Sequence, residues 1–197
     1  MVKYKKSRQT GTFFISGNAR KYFDFTITRT HPYSTIALLT FTAMEIRSRM
    51  ADVFPLLQRP DLAKEIMEHA TFITADAGEV IIREGQYLKV LPLVISGSLR
   101  VSQQSDGREI LLYYVQPGET CIMSLSSCFF NVESPSTAIA DTQTEILCVP
   151  TRYIKDWQRR YDPWNEFVIR TFQSRYNELL DLFRTVDIGR AAIVETT

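Results

Sequence analysis

Five glycines recur at intervals of 7 to 12 residues through the middle of the chain, and they constrain its fold more than any other feature. They are Gly78, Gly85, Gly97, Gly107 and Gly118. The segments between them are short and rich in β-branched, aliphatic and aromatic residues, as strands are. Asp106-Gly107 is a hairpin signal, because glycine tolerates the positive φ of a tight turn. Short strands with a turn signal about every ten residues predict an antiparallel barrel or sandwich over residues 71–149.

Helical patterns flank these strands. Residues 44–70 predict helix interrupted at Pro55 and Pro60, since proline removes a helical hydrogen bond and clashes with the preceding turn. Residues 151–186 predict two more helices, with Thr151 as a candidate N-cap and Asp162-Pro163 starting the longer helix at about residue 163. The predicted fold class is mainly β with flanking helices (α+β): an antiparallel double-stranded β-helix or jelly roll with a long C-terminal helix. The strand-like runs are residues 79–83, 91–95, 98–102, 109–115, 136–140 and 144–149.

Large apolar residues recur along the predicted C-terminal helix, mostly at spacings of three and four. Several would remain exposed on a lone helix. We therefore expect this helix to pack partly on its own domain and partly on a second copy of itself. The alternative is a helix buried wholly against its own strands. The predicted dimer residues are Phe172, Tyr176, Leu179, Leu180 and Phe183.

The N-terminal residues 1–43 differ in charge from the remainder. They hold seven lysines and arginines and one acid, which leaves a net charge of −5 on residues 44–197 of a chain with +1 overall. Three interpretations stay open: a disordered tail or sequence upstream of a true start at Met44, a transit peptide, and a basic arm that binds nucleic acid. The acidic body does not have the charge of a nucleic-acid surface. The predicted boundaries are a tail at 1–43, a domain at 44–187 and a tail at 188–197.

Histidine is nearly missing from the predicted domain. The two histidines of the chain are His31 and His69, so none lies between residues 70 and 197. A cupin-type metalloenzyme of similar shape holds its metal through several histidines and a carboxylate, and a Ser-His or Cys-His nucleophile pair also needs a histidine. We therefore predict no catalytic residue, no metal, no cofactor and no enzymatic activity. A cupin-like enzyme is the remote alternative.

The three cysteines, Cys121, Cys128 and Cys148, are an odd count. This count argues against a disulfide framework and fits a reducing, cytoplasmic compartment. Cys121 and Cys128 are candidates for a thiol redox sensor, and the alternative is that they pack as small apolar residues. The chain contains no uninterrupted apolar run of 18 residues, so the sequence predicts no transmembrane helix and no membrane partner.

Four motifs in order carry a resemblance to a known family. They are residues 77–85 (AGEVIIREG), 93–101 (LVISGSLRV), 106–112 (DGREILL) and 115–119 (VQPGE). Together with the flanking helices, they resemble the effector domain of the Crp/Fnr family of bacterial transcription regulators over residues 46–187. The resemblance implies a cyclic-nucleotide-binding-like β-roll and a dimer through the long helix. It also implies an allosteric response, in which an effector shifts that helix between two packings.

The chain departs from this family where the family binds its ligand. Cyclic-nucleotide binders of this fold place a Gly-Glu pair on the ribose and an arginine on the cyclic phosphate. Here residues 120–137 contain no lysine or arginine, and Ile122-Met123 stands near the Gly-Glu position. We therefore expect neither cyclic AMP nor cyclic GMP to bind. The hydroxyl-rich segment is predicted instead to bind an unidentified effector, or to be a capped turn of helix followed by a loop. Its candidate residues are Met123, Ser124, Ser126, Ser127, Ser134, Ser136 and Thr137.

The resemblance also bears on assembly. Family members continue past the long helix into a winged helix-turn-helix that reads DNA, whereas residues 187–197 are too few for such a module. The chain is therefore expected to be a truncated regulator or a separate sensory and dimerisation domain that acts on DNA only indirectly. The expected partners are a second copy of the chain or a full-length regulator. A ligand-free interaction domain is the alternative function.

Overall fold

The computed structural model describes residues 43–194, with side chains over residues 44–184. The tail predicted at residues 1–43 lies outside the described residues, apart from its last position. No described helix is long and apolar enough to cross a membrane. The described elements are, in chain order, α1 (Ala43–Val53), a 3₁₀ helix (Pro55–Gln58), α2 (Pro60–His69), β1 (Thr71–Ala75), β2 (Val80–Ile82), β3 (Val90–Ser96), β4 (Leu99–Ser105), β5 (Arg108–Val115), α3 (Ile122–Phe130), β6 (Thr137–Ala140), β7 (Thr144–Pro150), α4 (Thr151–Arg160) and α5 (Asp162–Val194).

The strands form two antiparallel sheets, which confirms the predicted jelly roll. One sheet has the order β1-β7-β3 and the other the order β2-β6-β4-β5. The predicted hairpin at Asp106-Gly107 joins β4 to β5, with φ of +50° and +74° at its two central residues. Leu99 pairs with Val115 at the far end of that hairpin. The sequence order of motifs therefore corresponds to successive strands of one roll.

Two of the glycine turns bring backbone segments into close approach. Gly97 links β3 to β4 with φ of +77°, and a Cβ atom there would lie 2.8 Å from the Cα of Thr144. Gly118 follows β5 with φ of +86°, and its Cβ would lie 2.6 Å from the carbonyl oxygen of Val53. Both positions require glycine for its backbone conformation and for space.

The core is divided into two clusters by β3 and β7. Successive side chains of a strand point to opposite faces, so Leu93 faces the helices whereas Val94 faces the interior of the roll. On β7, Leu147 joins the helical cluster and Ile146 joins the cluster inside the roll. A strand buried on both faces explains why these segments are continuously apolar in sequence.

The helical cluster is the part of the core that lies between the helices and the outer faces of β3 and β7. At its edge, a charged contact joins α2 to α4. Trp157 of α4 and Trp164 of α5 are fully buried, with ring centroids 5.3 Å apart. The Glu65 carboxylate accepts hydrogen bonds from Trp157 Nε1 and from the Tyr161 hydroxyl, each at 2.7 Å. Arg160 donates to the same carboxylate at 2.6 and 2.7 Å. These bonds fix α4 and the start of α5 against α2.

Several local expectations differ from the structure. The strand at Thr71–Ala75 was not among the predicted runs, because the turn signals begin only at Gly78. The predicted N-cap at Thr151 is wrong: Pro150 occupies the N-cap position, with no side-chain cap hydrogen bond, because β7 leads directly into α4. The last helix was expected to end near residue 186, before a tail at 188–197, but α5 continues to Val194.

Candidate effector site

The segment between β5 and β6, residues 116–136, is termed the cassette, and its entry is fixed against β3. Gly118 N–H donates to the carbonyl of Val94 at 2.9 Å, and Val94 N–H donates to the carbonyl of Glu119 at 3.0 Å. The buried Thr120 hydroxyl donates to the carbonyl of Pro92 at 2.6 Å. Three hydrogen bonds therefore hold the first turn of the cassette against β3.

The N-terminus of α3 meets the inner part of β5. Cys121 is the N-cap of α3, and its Sγ accepts from the N–H of Ser124 at 3.5 Å. The hydroxyl of Tyr113 on β5 lies 3.3 Å from the same Sγ. Burial, and next the neighbouring Cys121, raises the pKa of Tyr113, so its phenol is neutral at physiological pH. This corner therefore places the neutral phenol of Tyr113 beside the Sγ of Cys121.

Several of the predicted hydroxyls form hydrogen bonds with the protein's own backbone in and around the loop after α3. Ser127 Oγ donates to a backbone carbonyl of that loop at 3.2 Å, and Ser134 Oγ donates to the carbonyl of Ser136 at 2.8 Å. Thr137 Oγ1 accepts from the N–H of Glu84, in the turn between β2 and β3, at 3.2 Å. These hydroxyl groups close the loop and tie it to the neighbouring turn.

The other predicted residues lie elsewhere on α3. Ser124 is fully buried, and its Oγ has no hydrogen-bond partner among the described residues. Met123 is half-buried against the cluster inside the roll, whereas Ser126 lines a separate groove against α4 and α5. The seven predicted residues thus lie on α3, in the loop that follows it and, for Thr137, at the start of β6.

Arg175 of α5 is the residue at this site that sequence reasoning missed. Its side chain is only 9% exposed and forms ion pairs with Glu119 of the cassette and, at 2.7 Å, with Glu178. Its guanidinium carbon lies 4.7 Å from the ring centroid of Tyr113, the arrangement of a cation–π contact. A cation therefore reaches the cassette, but from the long helix and already held by two carboxylates.

A sequence signal for Arg175 exists. It follows Phe172 by three residues and Val168 by seven, so the helical period places it on the face that packs against the domain. An arginine on such a face must find partners, since a buried charge without one is costly. The partner, Glu119, lies 56 positions earlier in the chain, which is why spacing alone does not identify it.

A cyclic phosphate bound in the manner that the resemblance implies needs an arginine in the cassette. The cassette supplies no lysine or arginine of its own. Arg175 already pairs with Glu119 and Glu178, so a phosphate could bind it only by displacing at least one of these carboxylates.

The cysteines of the described chain are all free and buried. Burial raises the pKa of Cys148 to about 12, and burial followed by the nearby Cys121 raises that of Cys128 to about 12. A thiol with such a pKa is protonated at neutral pH and reacts slowly with oxidants. The redox role of Cys121 and Cys128 remains a prediction, and the environment of Cys128 does not favour it.

Metal ligands and histidine do not converge in the described part of the chain. No group of three or more histidine, cysteine, aspartate or glutamate side chains there is arranged to hold a metal ion. His69 ends α2 and stacks on Tyr153, with ring centroids 4.2 Å apart. Its Nδ1 is buried without a described partner, so it belongs to the helical cluster and not to the cassette.

Comparisons with known proteins agree with the fold described above. Residues 72–161 match the family model of the cyclic nucleotide-binding domain. No curated protein sequence matches the chain.

Solved structures share the fold. The catabolite activator protein of Thermus thermophilus is 25% identical, with a TM-score of 0.53 over 66% of this chain and 63% of its own. A putative transcriptional regulator of the Crp/Fnr family from Eubacterium rectale is 24% identical, with a TM-score of 0.59 over 68% of this chain and 64% of its own. DNR from Pseudomonas aeruginosa is 17% identical, with a TM-score of 0.54 over 74% of this chain and 64% of its own. The match thus spans slightly less than two thirds of each of these proteins.

Proposed function

We propose that this chain is a cytoplasmic sensory and dimerisation domain, not an enzyme. Residues 72–161 match the cyclic nucleotide-binding domain, and a regulator of the Crp/Fnr family shares the fold. The observation that carries the proposal is the contact of Arg175 on α5 with Glu119 and Tyr113. Through it, the helix that pairs two subunits touches the cassette that would hold an effector.

The proposed effector is not cyclic AMP or cyclic GMP. Ile122 and Met123 stand near the position of the Gly-Glu pair that the resemblance implies for a ribose, and the cassette lacks a cation for the phosphate. The buried hydroxyl of Ser124, which has no described partner, offers a new ligand one hydrogen bond. A ligand bound there would lie close to Cys121 and Tyr113, and Tyr113 itself contacts Arg175.

The proposed response is a change in the packing of α5. A ligand shifts such an equilibrium only if it binds one packing more tightly than the other. The contacts of Arg175 with Glu119 and Tyr113 belong to one packing, and a ligand beside Tyr113 that disturbs its contact with Arg175 would favour the alternative. Any DNA-binding element, in a partner or in a longer form of the chain, would receive the signal through α5, and contact with DNA would be indirect.

The proposed dimer uses an apolar stripe on α5. Ile169, Phe172, Tyr176, Leu179 and Phe183 follow alternating spacings of three and four residues, the pattern of a coiled-coil seam, and each is 40–64% exposed. Ile169 adds to the predicted set. Of the residues predicted from the sequence, Leu180 is half-buried on its own subunit and so contributes less to the stripe.

A ligand-free interaction domain is the second candidate. The observation that favours it is the use of the Ser127, Ser134 and Thr137 hydroxyls for bonds to the protein's own backbone. In that case α5 would pair subunits without a signal from the cassette. A heterodimer with a full-length regulator uses the same stripe and is compatible with either candidate.

The experiment is native mass spectrometry and sedimentation of the wild type beside two variants. Tyr176→Asp places a charge in the proposed seam, and Tyr87→Asp makes the same change at a residue that is likewise 61% exposed but lies on the turn before β3. We expect a dimer for the wild type and Tyr87→Asp, and at least a hundredfold weaker dimer for Tyr176→Asp, about 2.7 kcal/mol. A wild-type monomer at about 100 μM, well above the Kd of a stable dimer, would contradict the dimer.

The same protein tests the effector. Calorimetry with cyclic AMP and cyclic GMP should give no binding tighter than about 1 mM, the affinity of a few weak contacts. Micromolar binding of either nucleotide would overturn this part of the proposal. A small molecule retained under native conditions and lost on denaturation would support a sensor, and its absence from dimeric protein would support the ligand-free candidate.

A further inference from the structure

A surface groove outside the cassette's inner corner runs between α3, α4 and α5. It has a volume of about 470 Å³, within the range of pockets that hold ligands or several side chains of a partner. The buried Ser124 is not among its lining residues. Its lining residues are Phe129, Phe130, Lys155, Arg159, Val168 and Phe172, with Ser126 and Gln158 between them.

The floor of the groove is aromatic, and two of its phenylalanines are exposed. Phe130, the last residue of α3, is 75% exposed, and Phe172 of α5 is 40% exposed. Phe129 beside them is half-buried. Contiguous exposed aromatic side chains at a concave surface are a mark of interaction sites in soluble proteins.

One rim of the groove is positively charged. Lys155 and Arg159 lie one turn apart on α4, so they project from the same side of that helix. Neither forms an ion pair within the part of the chain that the structure describes. The neighbouring cations are neutralised internally, since Arg160 pairs with Glu65 and Asp156, and Arg170 pairs with Glu166.

From this combination we propose that the groove docks a short acidic amphipathic helix of a partner protein. Its apolar residues would pack on Phe129 and Phe130, in the helix-in-groove mode. Its aspartates or glutamates would face Lys155 and Arg159, and this charge complementarity identifies the occupant. The chain's own residues 1–43 carry a net +6 and would be repelled by the same rim.

The docking site is separable from the proposed dimer. Phe172 belongs both to the groove and to the stripe on α5, but Phe130, Lys155 and Arg159 lie on other helices. Substitutions at these three residues therefore test docking while the oligomeric state is followed in the same samples. Failure of the docking proposal would leave the sensory and dimerisation proposal standing, and the reverse also holds.

The experiment measures fluorescence anisotropy with a defined probe on the full chain. The probe is a labelled helical peptide with leucines at positions i, i+3, i+4 and i+7 and glutamates flanking them, beside a version with lysines in place of the glutamates. The test variants are the pair Lys155→Glu with Arg159→Glu, and Phe130→Ser. The control pair, Arg83→Glu with Arg108→Glu, makes the same change in net charge at exposed positions away from the groove.

We expect the acidic probe to bind and each test variant to weaken its binding by about tenfold or more, whereas the control pair changes it by less than about twofold. The lysine version should bind at least about tenfold more weakly than the acidic one. The proposal is overturned if the acidic probe does not bind, or if the test and control pairs weaken it equally. It is also overturned if single-stranded DNA displaces the probe at matched charge, because the groove would then be a general polyanion surface.

Discussion

The Glu65 carboxylate joins α2 to α4 and to the start of α5, and replacing it by glutamine should destabilise the domain by about 2 kcal/mol. Its two oxygens accept from Trp157, Tyr161 and Arg160. Glutamine keeps one accepting oxygen and places an NH₂ group, which cannot accept, at the other. Each carboxylate oxygen accepts from Arg160 and from one aromatic side chain. In Glu65→Gln two donors therefore lose an acceptor: one N–H of Arg160, and either Trp157 or Tyr161.

The magnitude follows from the burial of those donors. Trp157 is fully buried, and a buried donor without a partner costs about 1–3 kcal/mol. The lost ion pair adds little to this cost, because the Arg160 side chain is 42% exposed and solvent screens it. A loss of about 2 kcal/mol lowers the melting temperature of a domain of this size by roughly 4–8 °C.

The effect should depend on pH with a definite sign. The bond from Arg160, followed by those from Tyr161 and Trp157, outweighs burial and lowers the pKa of Glu65 from 4.5 to about 2. A carboxylate with a lowered folded-state pKa stabilises the fold above its unfolded value, and that contribution is lost as the pH falls through its folded value. The gap between wild type and Glu65→Gln should therefore be full at neutral pH and should narrow between pH 4.5 and about 2.

Urea unfolding followed by tryptophan fluorescence measures this gap, since Trp157 and Trp164 both lie in the helical cluster. Glu166→Gln is the control: Glu166 forms an ion pair with Arg170 one turn away on α5 and is 48% exposed. Its loss should cost no more than about 0.5 kcal/mol. The reasoning would be refuted if the two variants were equally stable, or if the effect of Glu65→Gln were the same at pH 7 as at pH 3.

Two further substitutions and one chemical probe test other parts of the fold. Gly97→Ala should destabilise by about 3 kcal/mol or more, because φ is positive and the new Cβ would clash with backbone near Thr144, whereas Gly107→Ala, with similar φ but open space, should cost about 1 kcal/mol; urea titrations of both variants provide the comparison. Alkylation of Cys128 should be negligible in the native protein at pH 8 and rapid in urea, because burial raises its pKa to about 12. Peptide mapping after iodoacetamide treatment checks this, and fast native labelling would support the redox interpretation.

The turn glycines explain why the roll could be predicted from the sequence. Gly78, Gly85, Gly97, Gly107 and Gly118 all have positive φ, so each marks a place where few other residues can stand. Local residue chemistry was also sufficient at Pro55 and Pro60, which separate the N-terminal helices as predicted. These features depend on the backbone conformation of single positions, and the residue type at such a position, glycine or proline, indicates that conformation.

The candidate site was less accessible to such reasoning. The serines of the cassette have the composition of a polar pocket, but Ser127 and Ser134 instead satisfy nearby backbone groups, as serine commonly does in loops. Arg175 contacts Glu119 only because α5 folds back across the roll. Contacts between distant segments depend on the packing of whole elements, and local patterns do not contain that information.

The length of α5 gives the Arg175 contact a mechanical consequence. Arg175 lies 19 residues before the helix end at Val194, which at 1.5 Å per residue is a distance of about 28 Å. If α5 pivots as a rigid rod at this contact, a tilt of about 10° displaces its far end by roughly 5 Å, close to the pitch of one helical turn. A small change in the angle of α5 at the Arg175–Glu119 contact would thus become a movement large enough to change how anything attached to α5 meets its target.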